Sequence, residues 1–438
     1  MKKKVCIVIS CIVLILISLI ILIYFKLYYE SNSIKNIYIN KDNKIVIELN
    51  NDVETYCLIG EKETNKWVKN KGKSCTLKYT ETNKYIHLKN KFGYVKSLNN
   101  TYNLDSIKNF GIKNNKVYLA IGGSEKIDYF IDSIIDQTDK INFISDDENI
   151  AKVDSEGIIT GVNNGTTQIF VLLDNYSIKV EVIVTENIIV PTADYIYKRD
   201  YIKCNEFSKE DNDLIDEILL NRISKVGKNT RAAVVESARF MTLEFSKRIP
   251  YFAENGRLSM NGIDGEGRYY REGMFLNNSR YNLIGDSMYG PKSWGCNMYS
   301  FPVDRIIPNG LDCSGFVSWA FINAGFDVGD IGAGITPVKD FTDLGIKKNI
   351  KSSINNNSII VGDLLSGKFT NGGHIAIVVG INKGYYYVAE SLYEDSHKYY
   401  GVITRKYKFE ELNNYFSWHI DMSEFYLEDG IITNYWLT

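Results

Sequence analysis

Residues near the N-terminus form the longest apolar stretch of the chain. Val5 to Phe25 runs for 21 residues without a charge and follows three lysines. About 20 apolar residues cross a bilayer as a helix, and lysines before such a helix favour an inside N-terminus. We therefore predict a single-pass signal anchor in residues 1–30, with the rest of the chain on the cell-wall side of the cell membrane. The alternative is a cleaved signal peptide, which would also export the chain.

Short runs of alternating apolar residues follow the apolar stretch. In residues 34–100, the runs Lys44 to Leu49 and Lys84 to Leu88 have this period of two, which predicts half-buried strands. No helical pattern of useful length interrupts them, so we predict a small β-sandwich over 34–100. Residues 103–186 contain further short strands with glycines between them, and these glycines indicate tight turns.

The turn spacing of residues 103–186 has a recognisable form. Ser145 leads to Ala151 and Val153, then come Gly157 to Gly161 and Gly165 to Ile169. This order resembles the bacterial Ig-like group 2 domain, which implies an all-β Ig-like module. Such modules are spacers or adhesive parts of surface proteins, and we expect a spacer without chemistry here.

The period changes to that of helices after Pro191. We predict a linker and helical lead-in over 187–227 and a last domain over 228–438. Apolar residues at three-to-four spacing predict three helices, followed by five strands, and this order indicates an α+β domain. The helices are Asp211–Arg222, Thr230–Arg248 and Leu311–Ala324, and the strands are Ser358–Leu365, His374–Ile381, Tyr385–Ser391, Val402–Lys406 and Tyr415–Ile420.

Charge and cysteine usage narrow the possible functions. The net charge is −2 and no basic stripe is visible, so we expect no nucleic-acid partner. Cys57 and Cys75 could form a local disulfide in an oxidising exterior, while Cys204 and Cys296 could pair or stay free. Cys313 is then left over, which marks it as a candidate reactive thiol.

The surroundings of Cys313 favour thiol chemistry. The run Leu311-Asp-Cys-Ser-Gly-Phe-Val317 places this cysteine at the start of a predicted helix. A thiol in the first turn of a helix is favoured as thiolate by the positive end of the helix dipole. The unpaired N–H groups of that turn can also bind an oxyanion.

One of the four histidines stands at the start of an apolar strand, in Gly372-Gly-His374-Ile-Ala-Ile-Val-Val-Gly380. Two glycines before it permit close approach of a substrate or another backbone. A histidine in such a place is a candidate base, although isolated strand histidines are more often structural.

Together the cysteine and histidine motifs resemble the NlpC-type peptidases, a papain-like family of bacterial cell-wall hydrolases. The resemblance covers residues 228–425 and implies a papain-like α+β fold. It also implies that Cys313 is the nucleophile and His374 its base, with a polar residue on the next strand orienting the histidine. Glu390 is the candidate for that third residue. Ser391 and His397 are the alternatives.

The same resemblance implies residues that bind substrate. Asp312 would hold the free amine of a stem peptide, with Ser314 beside it, and an N-cap role for Asp312 is the alternative. Tyr251, in Pro250-Tyr-Phe252, resembles a tyrosine that lines the family's site, although a glycine pair of the family's motif is absent here. The long segment between Tyr251 and Cys313 suggests an inserted lid, in which five residues could contact substrate: Arg268, Tyr269, Tyr270, Arg271 and Trp294.

The predicted fold class is thus a papain-like α+β catalytic domain behind two all-β Ig-like modules and a transmembrane helix. The predicted function is a membrane-anchored cysteine peptidase that hydrolyses peptidoglycan stem peptides, at the γ-D-glutamyl bond to the diamino acid. Thiolate chemistry needs neither metal nor cofactor, and no zinc spacing is present. The alternatives are an N-acetylmuramoyl-L-alanine amidase of the CHAP type, an acyltransferase, and a surface adhesion or scaffold protein whose last domain is inactive.

Overall fold

The computed structural model describes residues 2–29, 33–60, 66–79, 85–92, 101–191, 199–252, 294–300, 305–328, 331–333, 340–369, 372–393 and 401–433. These residues form an N-terminal helix, two β modules and a larger C-terminal unit. Everything said below about structure concerns these ranges.

The N-terminal helix, α1, spans Lys2–Tyr29. Within the described residues, no helix meets the length and apolarity required to cross a membrane. The predicted transmembrane anchor, and with it the predicted single-pass location in the cell membrane, is therefore wrong on this finding.

The first β module, residues 34–103, consists of two antiparallel sheets with strand orders β1-β2-β5 and β4-β3-β6-β7. A disulfide between Cys57 and Cys75 joins β3 to β5 and lies in the core between the two sheets. The last strand of this module extends beyond the predicted boundary at residue 100. Its strands are β1 Ile34–Ile39, β2 Lys44–Leu49, β3 Thr55–Ile59, β4 Val68–Asn70, β5 Ser74–Lys78, β6 Tyr85–Asn90 and β7 Thr101–Asn103.

The second β module, residues 107–185, contains sheets of two, three and four strands around its own apolar core. Gly157 forms the turn between β13 and β14 with a φ of 77°, a conformation that favours glycine. Only the pairing of β9 with β16 is parallel in this module. Its strands are β8 Ile107–Ile112, β9 Lys116–Ala120, β10 Ser124–Lys126, β11 Tyr129–Ser133, β12 Asn142–Ser145, β13 Ala151–Val153, β14 Ile158–Gly161, β15 Gly165–Leu173 and β16 Tyr176–Thr185.

The C-terminal unit, residues 199–433, has a six-stranded antiparallel sheet with the order β19-β24-β20-β21-β22-β23. Helices α3 and α4 pack on strand β21, and their apolar residues belong to one large core. The helices are α2 Lys209–Val226, α3 Arg231–Arg239, α4 Cys313–Asn323 and α5 Ile350–Asn355; the strands are β17 Asn297–Ser300, β18 Arg305–Pro308, β19 Ile346–Asn349, β20 Leu364–Phe369, β21 Gly372–Asn382, β22 Tyr385–Leu392, β23 Gly401–Lys408 and β24 Trp418–Asp421.

Helix α3 is shorter than the predicted Thr230–Arg248 because its end finds partners outside the helix. After Arg239 the chain makes one π-helical turn, Phe240–Glu244, and then becomes extended. The buried guanidinium of Arg199 donates to the carbonyl oxygens of Met241 (3.1 Å) and Phe245 (2.7 Å), and also to that of Thr242. Carbonyls that lack an intrahelical donor at a helix end need such a partner.

Replacing Arg199 by methionine should therefore destabilise the C-terminal unit. Arg199→Met removes the donor of four carbonyl oxygens, those named and that of Lys247, and we expect a loss of about 2–4 kcal/mol in the free energy of unfolding. Urea denaturation measures this loss of stability. The control is Lys152→Met at an exposed position of the second β module. Equal stability of the two variants would contradict this account of the helix end.

The predicted fold class is wrong for the chain as a whole. The sequence predicts a papain-like α+β domain with long helices and a transmembrane helix, whereas the described residues contain 24 strands and five α-helices. The sequence predicts too many helical residues, because it cannot show that α3 ends after nine residues. In the described part of the chain, β-sheet is the dominant structure.

Candidate functional site

Helix α4 starts at Cys313 because the residue before it caps the helix. The Oδ1 atom of Asp312 accepts a hydrogen bond from the backbone N–H of Gly315 at 2.6 Å. An aspartate at this position satisfies an otherwise unpaired donor and favours a helix start. The backbone N–H of Cys313 lies in the first turn, where the helix itself offers no acceptor.

The chain before α4 is held on two sides. The Leu311 N–H donates to the carbonyl oxygen of Pro250 (3.0 Å), and the Asn309 N–H donates to that of Cys296 (2.7 Å). Cys296 is in turn joined to Cys204 by a disulfide. At Gly310 a Cβ atom would lie only 1.8 Å from the Pro250 carbonyl oxygen, so this close approach requires glycine.

A methyl group at residue 310 should therefore displace the start of α4. We expect Gly310→Ala to lower the free energy of unfolding by about 2 kcal/mol or more, because the backbone of Pro250 must move. Thermal unfolding measures the loss. In the control Gly384→Ala, the new Cβ meets nothing within 4 Å, and only the strain of a positive φ is added. A larger loss in the control than in Gly310→Ala would contradict the packing argument.

His374 lies at the start of β21, beside the first turn of α4. The Cys313 Sγ donates to the carbonyl oxygen of Gly373 at 3.8 Å, which fixes the thiol next to the histidine. Both side chains are buried, with 8% of Cys313 and 4% of His374 exposed. The ring of His374 also stacks on Phe416, with 5.9 Å between ring centroids.

Glu390 lies on the neighbouring strand β22 and contacts the same imidazole. The distance from His374 Nε2 to Glu390 Oε2 is 2.7 Å, which leaves Nδ1 of the ring for the thiol. The strand register, with Ile377 opposite Ala389, places Glu390 diagonally across from His374. The structure thus brings together the three residues that the sequence names as catalytic.

Two residues of β23 hold the carboxylate of Glu390. Arg405 Nε donates to its Oε1 at 2.7 Å, and the Tyr407 hydroxyl donates to the same oxygen at 2.7 Å. The side chain of Glu390 has no exposed surface. A fully buried carboxylate is stable as an anion only when charged and hydrogen-bonding partners surround it, as they do here.

Charges at the site shift the ionisation of both His374 and Glu390. Burial opposes protonation of His374, but its contacts with Cys313 and Glu390 prevail and raise its pKa to about 9. Burial also disfavours the Glu390 anion, but Arg405 and His374 outweigh this effect and lower the pKa of Glu390 to about 2. Near neutral pH the site therefore contains an imidazolium between the thiol and a carboxylate.

This arrangement has the parts that nucleophilic catalysis by a thiol requires. An imidazolium beside a sulfur atom stabilises the thiolate and can then give its proton to a leaving group. The carboxylate orients the ring and stabilises its positive charge. The first turn of α4 supplies a backbone N–H where negative charge would develop on a substrate oxygen.

The predicted substrate-binding residues surround the start of α4. The Ser314 hydroxyl donates to Asp312 Oδ1 at 3.2 Å, so these two buried side chains contact each other. Tyr251 follows Pro250, the residue that pairs with Leu311, and its ring lies 5.6 Å from that of Tyr393. Their roles in substrate binding stay predictions.

Several other predicted residues lie elsewhere. The proposed lid residues 268–271 and the alternative third residue His397 lie outside the described residues. Trp294 is buried in the core with 1% exposed, which is unsuited to contact with a substrate. Ser391 donates to the Leu311 carbonyl oxygen at 2.7 Å, so it fastens β22 to the start of α4 and does not orient His374.

The cysteines whose side chains are described divide into two disulfides and one thiol. Cys57–Cys75 and Cys204–Cys296 are bonded, and Cys313 is free. Among the described residues, no group of three or more His, Cys, Asp or Glu side chains could hold a metal ion.

The sequence did not identify Arg405 and Tyr407 as partners of Glu390. They alternate on one face of β23, and an arginine two residues after the apolar pair Val402-Ile403 is the signal that could have indicated a buried ion pair. Their contact with Glu390 depends on the register of two strands, which the sequence alone leaves open.

A second histidine forms a buried network that resembles a serine triad. His419 contacts Ser353 Oγ through Nδ1 and Asp363 Oδ2 through Nε2, both at 2.9 Å. Asp363 also accepts from the backbone N–H groups of Ile360 and Met422. His419 and Asp363 have no exposed surface, so this network joins β20, β24 and α5 and is closed to a substrate.

Comparison with known proteins gives few similarities. No family model and no curated protein matches the chain. Solved structures with partial similarity include domains 5–6 of the S-layer protein SbsC, at 22% identity over 20% of this chain and 47% of that one, with a TM-score of 0.17. Domains 4 and 5 of SbsC match at 16% identity over 35% of this chain and 92% of that one, with a TM-score of 0.21. Extracellular domains 3–5 of Drosophila OTK match at 11% identity over 37% and 71%, with a TM-score of 0.15.

These similarities do not identify the protein. This chain spans about half of the first SbsC fragment, and the TM-scores are too low to carry an argument about fold or function. The three structures named are S-layer domains and extracellular domains of Drosophila OTK. They give no support to the predicted description as a membrane-bound, papain-like thiol protease. That description is corrected: its fold class and its membrane anchor are wrong, and only the geometry around Cys313 bears on chemistry.

Proposed function

We propose that this chain is a surface protein in which two β modules form a scaffold for a thiol site that hydrolyses amide bonds. The observation that carries the proposal is a series of buried contacts. The Cys313 thiol is fixed beside His374, His374 contacts Glu390, and Glu390 contacts Arg405. The two disulfides support an oxidising location outside the cytoplasm, because such bonds are rare in reducing compartments.

The reaction would proceed in two steps. The Cys313 thiolate attacks the amide carbonyl carbon, and the backbone N–H of Cys313 stabilises the oxyanion. His374 then protonates the leaving amine, and the C–N bond breaks to leave a thioester on Cys313. In the second step His374 takes a proton from water and the hydroxide attacks the thioester carbonyl carbon. The C–S bond then breaks, which releases the carboxylic acid and restores the Cys313 thiolate beside protonated His374.

The substrate we propose is a stem-peptide amide of peptidoglycan, at the γ-D-glutamyl bond to the diamino acid. Support for it comes from the resemblance of Leu311–Val317 and Gly373–Gly380 to the NlpC-type peptidases. Cleavage between the lactyl group and L-alanine is the amidase alternative, and transfer of the acyl group to a second amine is the acyltransferase alternative.

A surface scaffold without catalysis is the second candidate function. The two β modules, which lie within residues 34–185, support it because about two fifths of the described chain has no role at the thiol site. The burial of Cys313 and His374 also favours it, since a substrate must reach a thiol that is only 8% exposed.

Digestion of purified peptidoglycan separates the two candidates. The full chain and its Cys313→Ala variant are incubated with peptidoglycan, and the released fragments are identified by mass spectrometry. Hydrolysis predicts stem-peptide fragments from the wild type only, and their masses name the bond. If neither protein releases a fragment while both bind the wall, the scaffold is the correct function.

A further inference from the structure

A partly open cavity of about 580 Å³ lies between the second β module and the helices α2 and α3. This volume is within the usual range of small-molecule sites. Part of its wall is apolar and comes from Ala120 of β9, from Val226 of α2, and from Ile189 and Val190 after the module. The remaining wall carries several charged side chains, and these differ in whether they already have a partner.

Two of the three cations that line the cavity, Arg222 and Lys225, are paired with protein groups. Arg222 Nη2 donates to Glu244 Oε1 at 2.7 Å and to the Tyr118 carbonyl oxygen at 3.0 Å. Lys225 Nζ donates to Glu125 Oε1 at 2.6 Å. These contacts join the second β module to α2 and leave Arg222 and Lys225 little capacity to bind an anion.

The carboxylate of Glu236 is different. It lies on α3 and lines the cavity, and only 5% of the residue is exposed. Among the described residues, none donates a hydrogen bond to its carboxylate. A largely buried carboxylate that faces a cavity without a donor is a group that a bound cation would stabilise.

We propose that this cavity binds a small organic ammonium ion, with the ammonium group on the Glu236 carboxylate and the apolar part against Ala120, Val226, Ile189 and Val190. An ammonium group supplies up to three donors and one positive charge, which are what Glu236 lacks. A metal ion fits less well, because within the described ranges no cluster of three ligating side chains exists. The site is independent of the thiol of Cys313.

The ionisation of Glu236 makes this binding dependent on pH. Burial and the neighbouring Glu244 raise the pKa of Glu236 to about 7, against the opposite effect of nearby cations. The ammonium ligand should therefore bind more tightly as the pH rises through about 7, until the amine itself loses its proton near about 10. The charged groups around Glu236 are Glu244, Arg239, Arg222 and Lys225, and those that the second β module adds to the cavity are Glu125, Lys126 and Asp128.

Calorimetric titration of the full chain with n-butylammonium tests the proposal, with n-butanol as the neutral probe of the same shape. We expect saturable binding of the amine at about pH 8, at least about tenfold weaker binding at about pH 5.5, and at least about tenfold weaker binding of the alcohol. Glu236→Gln should weaken amine binding at least about tenfold, whereas Glu210→Gln, at an exposed position of α2, should leave it unchanged.

Two results would overturn the proposal. One is the absence of saturable amine binding at millimolar concentration, and the other is equal affinity of wild type and Glu236→Gln. If Glu236→Gln fails to fold, two measurements on the wild type decide the question. They are the affinity for the amine against that for the alcohol, and the affinity for the amine at the two pH values. Binding should persist in Cys313→Ala, so failure of the thiol proposal leaves this test unaffected.

Discussion

The Cys313→Ala variant should lose amide hydrolysis almost completely while keeping its fold. Removal of the nucleophile leaves binding and the oxyanion donor but no route to a covalent intermediate, and we expect the rate to fall by about 10⁴-fold or more. The release of amines from peptidoglycan fragments gives the rate. The melting temperature should change by only a few degrees, because one sulfur atom is removed from a small buried site.

The matched control is Ser318→Ala in the same helix. The Ser318 hydroxyl is buried and has no hydrogen-bond partner among the described residues, so its removal should cost little stability and no activity. Loss of activity in both variants would show that disturbance of α4, and not loss of the thiol, is responsible. Retention of activity in Cys313→Ala would contradict the proposed mechanism.

The second large effect is expected from Glu390→Gln. This change removes the negative charge that holds His374 in its protonated form, so the pKa of His374 should fall from about 9. The active form carries a protonated His374, and wild-type activity should therefore be lost as the pH rises through about 9. In Glu390→Gln that loss should begin at lower pH, and the rate at neutral pH should fall by about 10²-fold.

The control for this prediction is Tyr407→Phe. It removes one hydrogen bond to the Glu390 carboxylate but leaves both the negative charge and the contact with Arg405. The alkaline limb of its pH–rate profile should move less than the alkaline limb of Glu390→Gln. If the pH–rate profile of Glu390→Gln equals that of the wild type, Glu390 does not act through His374.

The residues of the thiol site could be named from the sequence because each has a local signal. Cys313 follows a capping aspartate, His374 follows two glycines, and Glu390 lies in the next strand. The structure brings these three side chains together. Their partners Arg405 and Tyr407 could not be named, because strand register decides which residues of β23 face Glu390. Glu236 was missed for a similar reason, since its burial arises where the second β module meets α3.

The fold was less predictable than the site. The strands of the β modules follow from alternation, and α2 follows from its helical spacing. The predicted strand Ser358–Leu365 instead begins only at Leu364, because the Asp363 carboxylate accepts from the Ile360 N–H and closes a turn. The end of α3 depends on Arg199, whose contacts are distant in sequence. An apolar run of the right length also predicted a membrane anchor that the described residues do not support.

The most direct test of the thiol site is an NMR titration of the His374 imidazole in the full chain, which needs no knowledge of the substrate. The chain has four histidines, so replacing the others in turn assigns the signal. We predict a titration midpoint at about pH 9 in the wild type, and lower midpoints in Cys313→Ala and Glu390→Gln. A wild-type midpoint at or below the ordinary value of about 6.5, unchanged in both variants, would contradict the charged thiol site and favour the scaffold.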